Sequence, residues 1–242
     1  GGGTFVPTLG RWRGRPADAG TSPIVVNSAA FMVTRRAPDG SLFESPAVVG
    51  RADWPTPIVS GPITGVVFAP TWRVPRDILT TEVLPAAVGD TGWLARSGFR
   101  VVDSTGACPA IDSIGWDALS DSTRGLALVQ GPGPLNPLGG VIIVCAHPFN
   151  VGVHGSPERA LFDRPERTLS HGCVRVERAL ELVETLLAGR PEWPAESLAR
   201  AASDTVARVV RVTDGTELVL AYWTAWGGDD GAGAVRPAVL GL

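Results

Sequence analysis

Apolar runs of strand length, each closed by a turn signal, recur along this chain and commit it to a strand-dominated fold. "PIVVNSAAFMV" (23–33), "SPAVVG" (45–50) and "GVVFA" (65–69) read as strands, and "APDGS" turns the chain between the first two. Further on, "VIIVCAH" (141–147), "TVARVVRV" (205–212) and "TELVLAYWTAW" (216–226) have the same character, the last nearly all apolar as in a strand covered on both faces. Helical patterning is confined to residues 176–188, to "WPAESLARAAS" (193–203) and to short pieces within 75–126. The expected class is therefore α+β, β-rich. Residues 1–22, rich in Gly, Arg and Pro, read as an arm, and 23–242 as one domain. The stretch at about 75–126 breaks the strand pattern and reads as an insertion capping the sheet.

Composition excludes several classes. Hydrophobic residues make up 44% and charged residues 19%, which is enough apolar surface for a packed core in 242 residues. The net charge is −3, all 21 basic residues are arginine, and no basic run suggests a nucleic-acid groove. Nor is there an apolar run of transmembrane length. The opening "GGGTFVPTLG" has neither a basic nor an apolar signal-peptide region. With three cysteines, Cys108, Cys145 and Cys173, there is no dense disulfide framework, and Cys108 and Cys145 are expected to be free and packed.

Chemistry concentrates in "LSHGCVRVERALELVETLLAG" (169–189). Val176, Ala179, Leu180, Val183 and Leu187 form the apolar stripe of a helix, ended by Gly189 and Pro191. That pattern puts Ser170-His171-Gly172-Cys173 in the turn entering the helix, where outward-pointing N–H groups receive anions and lower a thiol's pKa. Gly172 permits close backbone approach, so its N–H and that of Cys173 would make an oxyanion hole. A base is available upstream in "VGVHGSPERALF", where His154 ends a strand and Ser156-Pro157 start a short helix.

"VHG" followed at this spacing by "SHGCVRV" resembles the active-site signature of L,D-transpeptidases of the YkuD fold. Further blocks, "VVGRADWPTPIVSGPITGVVFAPTW", "GPGPLNPLGG", "LFDRPERTLSHGCVRVE" and "YWTAWGGDDGAGAVRP", resemble the YcbB-like branch, in which an insertion caps the catalytic site. The resemblance covers roughly residues 22–242. It implies a YkuD-type catalytic fold with an inserted capping subdomain, working in the bacterial periplasm or cell envelope on peptidoglycan stem peptides as donor and acceptor. Cys173 would be the nucleophile, open also to carbapenem acylation, and His154 the base. Gly155 would supply the carbonyl that orients the base, while His171, Gly172 and Cys173 shape the oxyanion hole. Arg175, Arg167, Ser170 and His147 would contact substrate, an arginine holding a stem carboxylate bidentately. Thiol acyl transfer requires no cofactor and no metal.

The sequence departs from the branch ahead of the base. Aligned backwards from His154, Ile142 stands for a lysine, Cys145-Ala146-His147 for Phe-Pro-Asn, and Gly152 for a tyrosine, whose loss is expected to leave space beside the catalytic pair. The ordinary product would be a 3→3 cross-link between two diaminopimelate residues, and a remodelled pocket would give a 1→3 link from L-Ala. Two readings compete from other classes. "CAH" (145–147), "HGC" (171–173) and His154 offer five zinc-type donors, although with one-residue spacings. A wall-binding module without catalysis would be expected to lack the nucleophile or the base.

Overall fold

The computed structural model describes residues 22–37, 39–90, 92–110, 114–149, 151–227 and 233–235. Nearly all of the expected arm lies outside these residues, as does part of "YWTAWGGDDGAGAVRP". The chain opens with β1 (Ile24–Asn27), β2 (Met32–Arg36) and two long strands, β3 (Leu42–Gly50) and β4 (Val59–Phe68). The run 23–33, expected as one strand, is two: Phe31 adopts a positive φ of 56° and turns the chain between β1 and β2.

An inserted unit follows. It holds β5 (Trp72–Arg73), α1 (Arg76–Ile78), a π-helical turn (Leu79–Val83), α2 (Leu84–Gly89), α3 (Trp93–Arg96), β6 (Phe99–Val102), α4 (Trp116–Ser120) and β7 (Ala127–Gln130). Among the described residues its strands pair only with each other, in the order β5-β7-β6. It also has its own apolar cluster, built on Leu79, Val83, Leu94, Val101, Leu119 and Leu128.

The chain then returns through β8 (Val141–Cys145), β9 (Val153–His154), β10 (Thr168–Ser170), β11 (Val174–Val176), α5 (Ala179–Leu186), α6 (Ala195–Ala202), β12 (Arg208–Arg211) and β13 (Glu217–Ala221), before a short hairpin of β14 (Ala225–Gly227) and β15 (Gly233–Val235). Pairings in the main sheet run β3-β11-β9-β8-β4-β13-β1-β2 and back to β3, which closes a circuit. Bending makes this closure feasible. The first half of β3 pairs with β2, whereas Ala47 and Val48 pair with β11. Likewise the start of β4 pairs with β13 and its end with β8 and β12, across a register shift between Ile63 and Gly65. Burial along β3 records the change: it alternates over 42–45 and is continuous over 47–50, where the sheet is covered on both faces.

Helices α5 and α6 cover one side of the circuit, setting Leu182, Val183, Leu186 and Leu198 into the main core. The apolar stripe that suggested a helix from 176 is divided between two elements. Val174-Arg175-Val176 alternates buried, half-buried, buried as β11 between β3 and β9, and the helix begins only at Ala179. Two β-branched residues at period two fit a pleated strand better than a first helical turn.

Candidate active site

Parallel pairing of β9 with β11 brings the two halves of the motif together. Val153 registers with Val174 and His154 with Arg175, and Val174 N–H donates to the Gly152 carbonyl at 2.9 Å. Cys173, one residue before β11, is thereby set against the approach to β9, where the Gly152 N–H points at its Sγ at 3.5 Å. The cysteine thus stands at a strand entry and not at a helix N-terminus. The lowered thiol pKa expected from a helix end is replaced by the opposite: burial pushes the thiol up, opposed by the Gly152 N–H and the Arg175 charge.

His154 is 4% exposed. Its Nδ1 lies 2.6 Å from the Gly155 carbonyl, an acceptor only, so Nδ1 carries the proton and Nε2 is left as the basic nitrogen. Burial holds the imidazole down to about 4, against the Gly155 and Leu138 carbonyls, which favour the protonated ring. Burial thus opposes the charged form of both side chains.

The loop "GPGPLNPLGG" fixes this arrangement from behind. Buried Asn136 donates from Nδ2 to the Pro70 carbonyl at 2.8 Å and the Gly131 carbonyl at 3.0 Å, and its Oδ1 accepts from Leu138 N–H at 2.9 Å. Gly139 presses against Gly155 so closely that a Cβ there would lie 2.9 Å from the Gly155 carbonyl carbon.

The Ser170–Cys173 loop is tied down within itself. Ser170, 2% exposed, donates from Oγ to the Cys173 carbonyl at 2.5 Å and accepts from Gly172 N–H at 3.2 Å. Thr56 Oγ1 donates to the Gly172 carbonyl at 2.8 Å while accepting from Gly50 N–H at 2.9 Å. Gly172 has φ +102°, which a side chain would strain. These bonds correct two expectations. Ser170 spends its hydroxyl on the loop, although it lines the cavity, and the Gly172 N–H is engaged with Ser170 instead of facing a substrate oxygen.

His171 takes another direction. Its Nε2 meets Glu82 Oε1, in the π-helical turn of the insertion, at 2.7 Å, and its ring packs against Trp54 at 4.2 Å between centroids. Arg51 lies over the other ring system of this stack, 4.5 Å from the Trp54 centroid and 3.8 Å from Glu82. The imidazole expected to shape an oxyanion hole instead joins the catalytic loop to the insertion.

A cavity of about 270 Å³ opens over Cys173 and His154. Arg175 and Trp54 line it from the body, Pro137 and Leu138 from the loop, and Trp72 and Asp77 from the insertion. Arg175 is held by Glu158 at 3.3 Å, and its guanidinium acts electrostatically on both Cys173 and His154. Arg167 is not brought to the cavity: its guanidinium holds the carbonyls of Ala47, Phe31, Phe162 and Arg164, a bracing role that explains its conspicuous place in the sequence. His147 is likewise elsewhere, bonded to the Val151 carbonyl and to Phe149 N–H within its own loop. The space expected beside Gly152 is taken by Ile142, whose Cδ1 would lie 2.6 Å from a Cβ on that glycine. Cys145 donates to the Gly61 carbonyl at 3.0 Å, and among the described residues no three His, Cys, Asp or Glu side chains gather as metal ligands. All three cysteines are free, but Cys108, expected to be packed, is exposed, and Cys145 is half-buried. Trp54, Thr56 and Glu82 were not singled out by sequence reasoning. The first two sit in "VVGRADWPTPIVSGPITGVVFAPTW", a block matched to the branch only as a whole, and Glu82 in a helical piece with no motif around it.

The family model YkuD, the L,D-transpeptidase catalytic domain, matches residues 22–194. A Haemophilus influenzae protein named "Putative L,D-transpeptidase" is 29% identical over 191 residues, 78% of this chain. This chain spans only 38% of that relative's length. Among solved structures, an L,D-transpeptidase from Mycobacterium smegmatis aligns with 82% of this chain and 58% of its own, at 16% identity and a TM-score of 0.36. L,D-transpeptidase 3 from Mycobacterium tuberculosis, in complex with a faropenem-derived adduct, aligns with 83% and 60%, at 14% identity and a TM-score of 0.36.

Proposed function

Since the chain belongs to the YkuD family, the L,D-transpeptidase catalytic domain, we propose that it is a cysteine-dependent acyltransferase of peptidoglycan, forming 3→3 cross-links between stem peptides in the bacterial envelope. The observation that carries this reading is the β9–β11 register, which sets buried, carbonyl-oriented His154 beside Cys173 in one cavity.

Cys173 Sγ attacks the carbonyl between the L-centre of diaminopimelate and the terminal D-residue, and His154 Nε2 takes the thiol proton as the C–S bond forms. The Cys173 N–H faces the developing oxyanion. On collapse, the C–N bond breaks and the proton passes from His154 to the departing amine, leaving a thioester. An acceptor amine then attacks the thioester, gives its proton to His154, and the thiolate leaves to be reprotonated. Arg175 holds a stem carboxylate, and the unit spanning 72–130 caps the cavity, with His171 and Glu82 as its point of attachment. The step uses no metal or cofactor, and a carbapenem would acylate the same sulfur.

A 1→3 link from L-Ala is the second reading, favoured by the Ile142–Gly152 pair. That pair puts an aliphatic side chain against β9 where the branch is expected to carry a lysine and a tyrosine. Incubation with disaccharide-tetrapeptide, wild type beside Cys173→Ala, followed by tandem mass spectrometry, tests both. A dimer from the wild type alone supports the transferase, and its fragments assign the linkage. Equal products from both proteins remove Cys173 as the nucleophile.

A further inference from the structure

The insertion and the loop at Leu135 and Pro137 line a second cavity, open to the surface and of about 370 Å³, that plays no part in the acyl-transfer chemistry above. Three aromatic rings form its wall: Phe99 lies 6.0 Å from Trp72 and 5.6 Å from Trp93, each pair tilted. Among the described residues Glu82 is the only charged side chain lining it, so they offer nothing to an anionic stem carboxylate. Gln130, 4% exposed, also stands in the wall. Its Nε2 is fixed by the carbonyls of Ser97 and Leu135 at 2.8 and 2.9 Å, while its Oε1 has no donor among the described residues. A buried amide oxygen without a partner is costly and is relieved by a ligand N–H.

Trp72, Ile78 and Pro137 line both this cavity and the one over Cys173, so the two are separated by a wall one side chain thick. An occupant must be neutral, present an apolar face to aromatic rings, and carry hydroxyl or amide donors for Glu82 and Gln130.

We propose that this cavity is a subsite for an N-acetylhexosamine ring of the glycan strand to which the stem peptide is attached. The ring's C–H face lies on Trp93 and Phe99, a hydroxyl donates to Glu82, and the acetamido N–H donates to Gln130. Three stem residues span at most about 10 Å, a length suited to two cavities sharing a wall. This subsite rests on the transferase reading for its substrate, but its occupancy is measured independently.

The test has two arms. Saturation-transfer NMR of a peptide-free N-acetylglucosamine–N-acetylmuramic acid disaccharide, its lactyl carboxyl capped as the N-methylamide so that the probe is neutral, is recorded on the full chain carrying Cys173→Ala, with and without Leu135→Arg. Leu135 is 60% exposed at the cavity lip, so the arginine obstructs the mouth without entering the core. Trp93→Ala is the second variant. Initial rates on disaccharide-tetrapeptide and on free tetrapeptide are then compared in the protein with Cys173 intact. Transfer to the acetamido methyl group is expected, and is lost in both variants. The sugar-bearing donor is expected to be favoured about tenfold in kcat/KM, the preference vanishing in Leu135→Arg while the free tetrapeptide reacts unchanged. Absence of saturation transfer, or a sugar preference that survives Leu135→Arg, overturns the subsite. Cys173-dependent product with no sugar preference overturns the subsite and spares the transferase. Saturation transfer without any product overturns the transferase and spares the subsite.

Discussion

Protonating His154 is expected to destabilise the fold by an amount that the site itself sets. The imidazole is buried against the Gly155 and Leu138 carbonyls and is held down to about 4, whereas a histidine in the unfolded chain titrates near the ordinary 6.5. Between those values the unfolded chain binds a proton that the folded protein refuses. Stability from this group is therefore complete above about pH 6.5, falls as the pH drops toward 4, and levels off below it. At about 1.4 kcal/mol for each factor of ten in proton affinity, the loss is about 3 kcal/mol. Carboxylates also titrate near the lower end of this window, so a double difference is needed. Urea unfolding of wild type and His154→Gln at pH 7 and pH 4 isolates the imidazole, because the glutamine does not titrate and the carboxylates are common to both. Wild type should lose about 3 kcal/mol more than the variant. Parallel losses in the two proteins would refute a buried neutral base. In the same picture, the acid limb of kcat/KM falls near pH 4, well below the range of an exposed histidine.

Other perturbations read out the supports of the site. Thr56→Val keeps the shape but orphans the buried Gly50 N–H and Gly172 carbonyl, so unfolding should show a loss of about 2–4 kcal/mol, with acylation of Cys173 slowed. Gly172→Ala forces a side chain into φ +102°; a strain of about 1–3 kcal/mol is expected in thermal unfolding, and a loss in kcat larger than stability alone predicts. Glu82→Ala releases the insertion from His171, and faster limited proteolysis within 72–130 together with a raised KM for the donor should follow, while alkylation of Cys173 by iodoacetamide continues. Chelation by EDTA should leave both the unfolding midpoint and the activity in place, which separates thiol chemistry from the zinc reading.

What could be read from the chain and what could not divide along physical lines. The juxtaposition of His154 and Cys173 was legible because a short motif sets one on β9 and the other at the entry to β11, and the strand-rich class followed from apolar runs bounded by turns. The start of α5 was misplaced because Val176 satisfies a helical stripe and a strand alternation equally, and only its neighbours β3 and β9 decide between them. His171 and Ser170 sit in the motif, yet their tasks depend on partners. The His171 partner, Glu82, is 89 residues upstream in another unit, and that distance leaves no trace in local sequence. Arg167 drew attention as a cation near the motif, although four backbone carbonyls consume its donors. Ile142 and Gly152 were each noticed as departures. Their compensation, one side chain filling the other's space, emerges only from the β8–β9 pairing.

The closed circuit of strands has a consequence for how the chain is made. Ile24 pairs with Leu218, so a strand completed among the first residues of the sheet waits for one nearly two hundred positions later. During synthesis β1 and the first half of β4 therefore carry open edges until β13 emerges, a long exposure for surfaces that readily accept foreign strands. Such non-local closure slows folding. A nascent chain of this kind thus has strong reason to be shielded until its last long strand is in place.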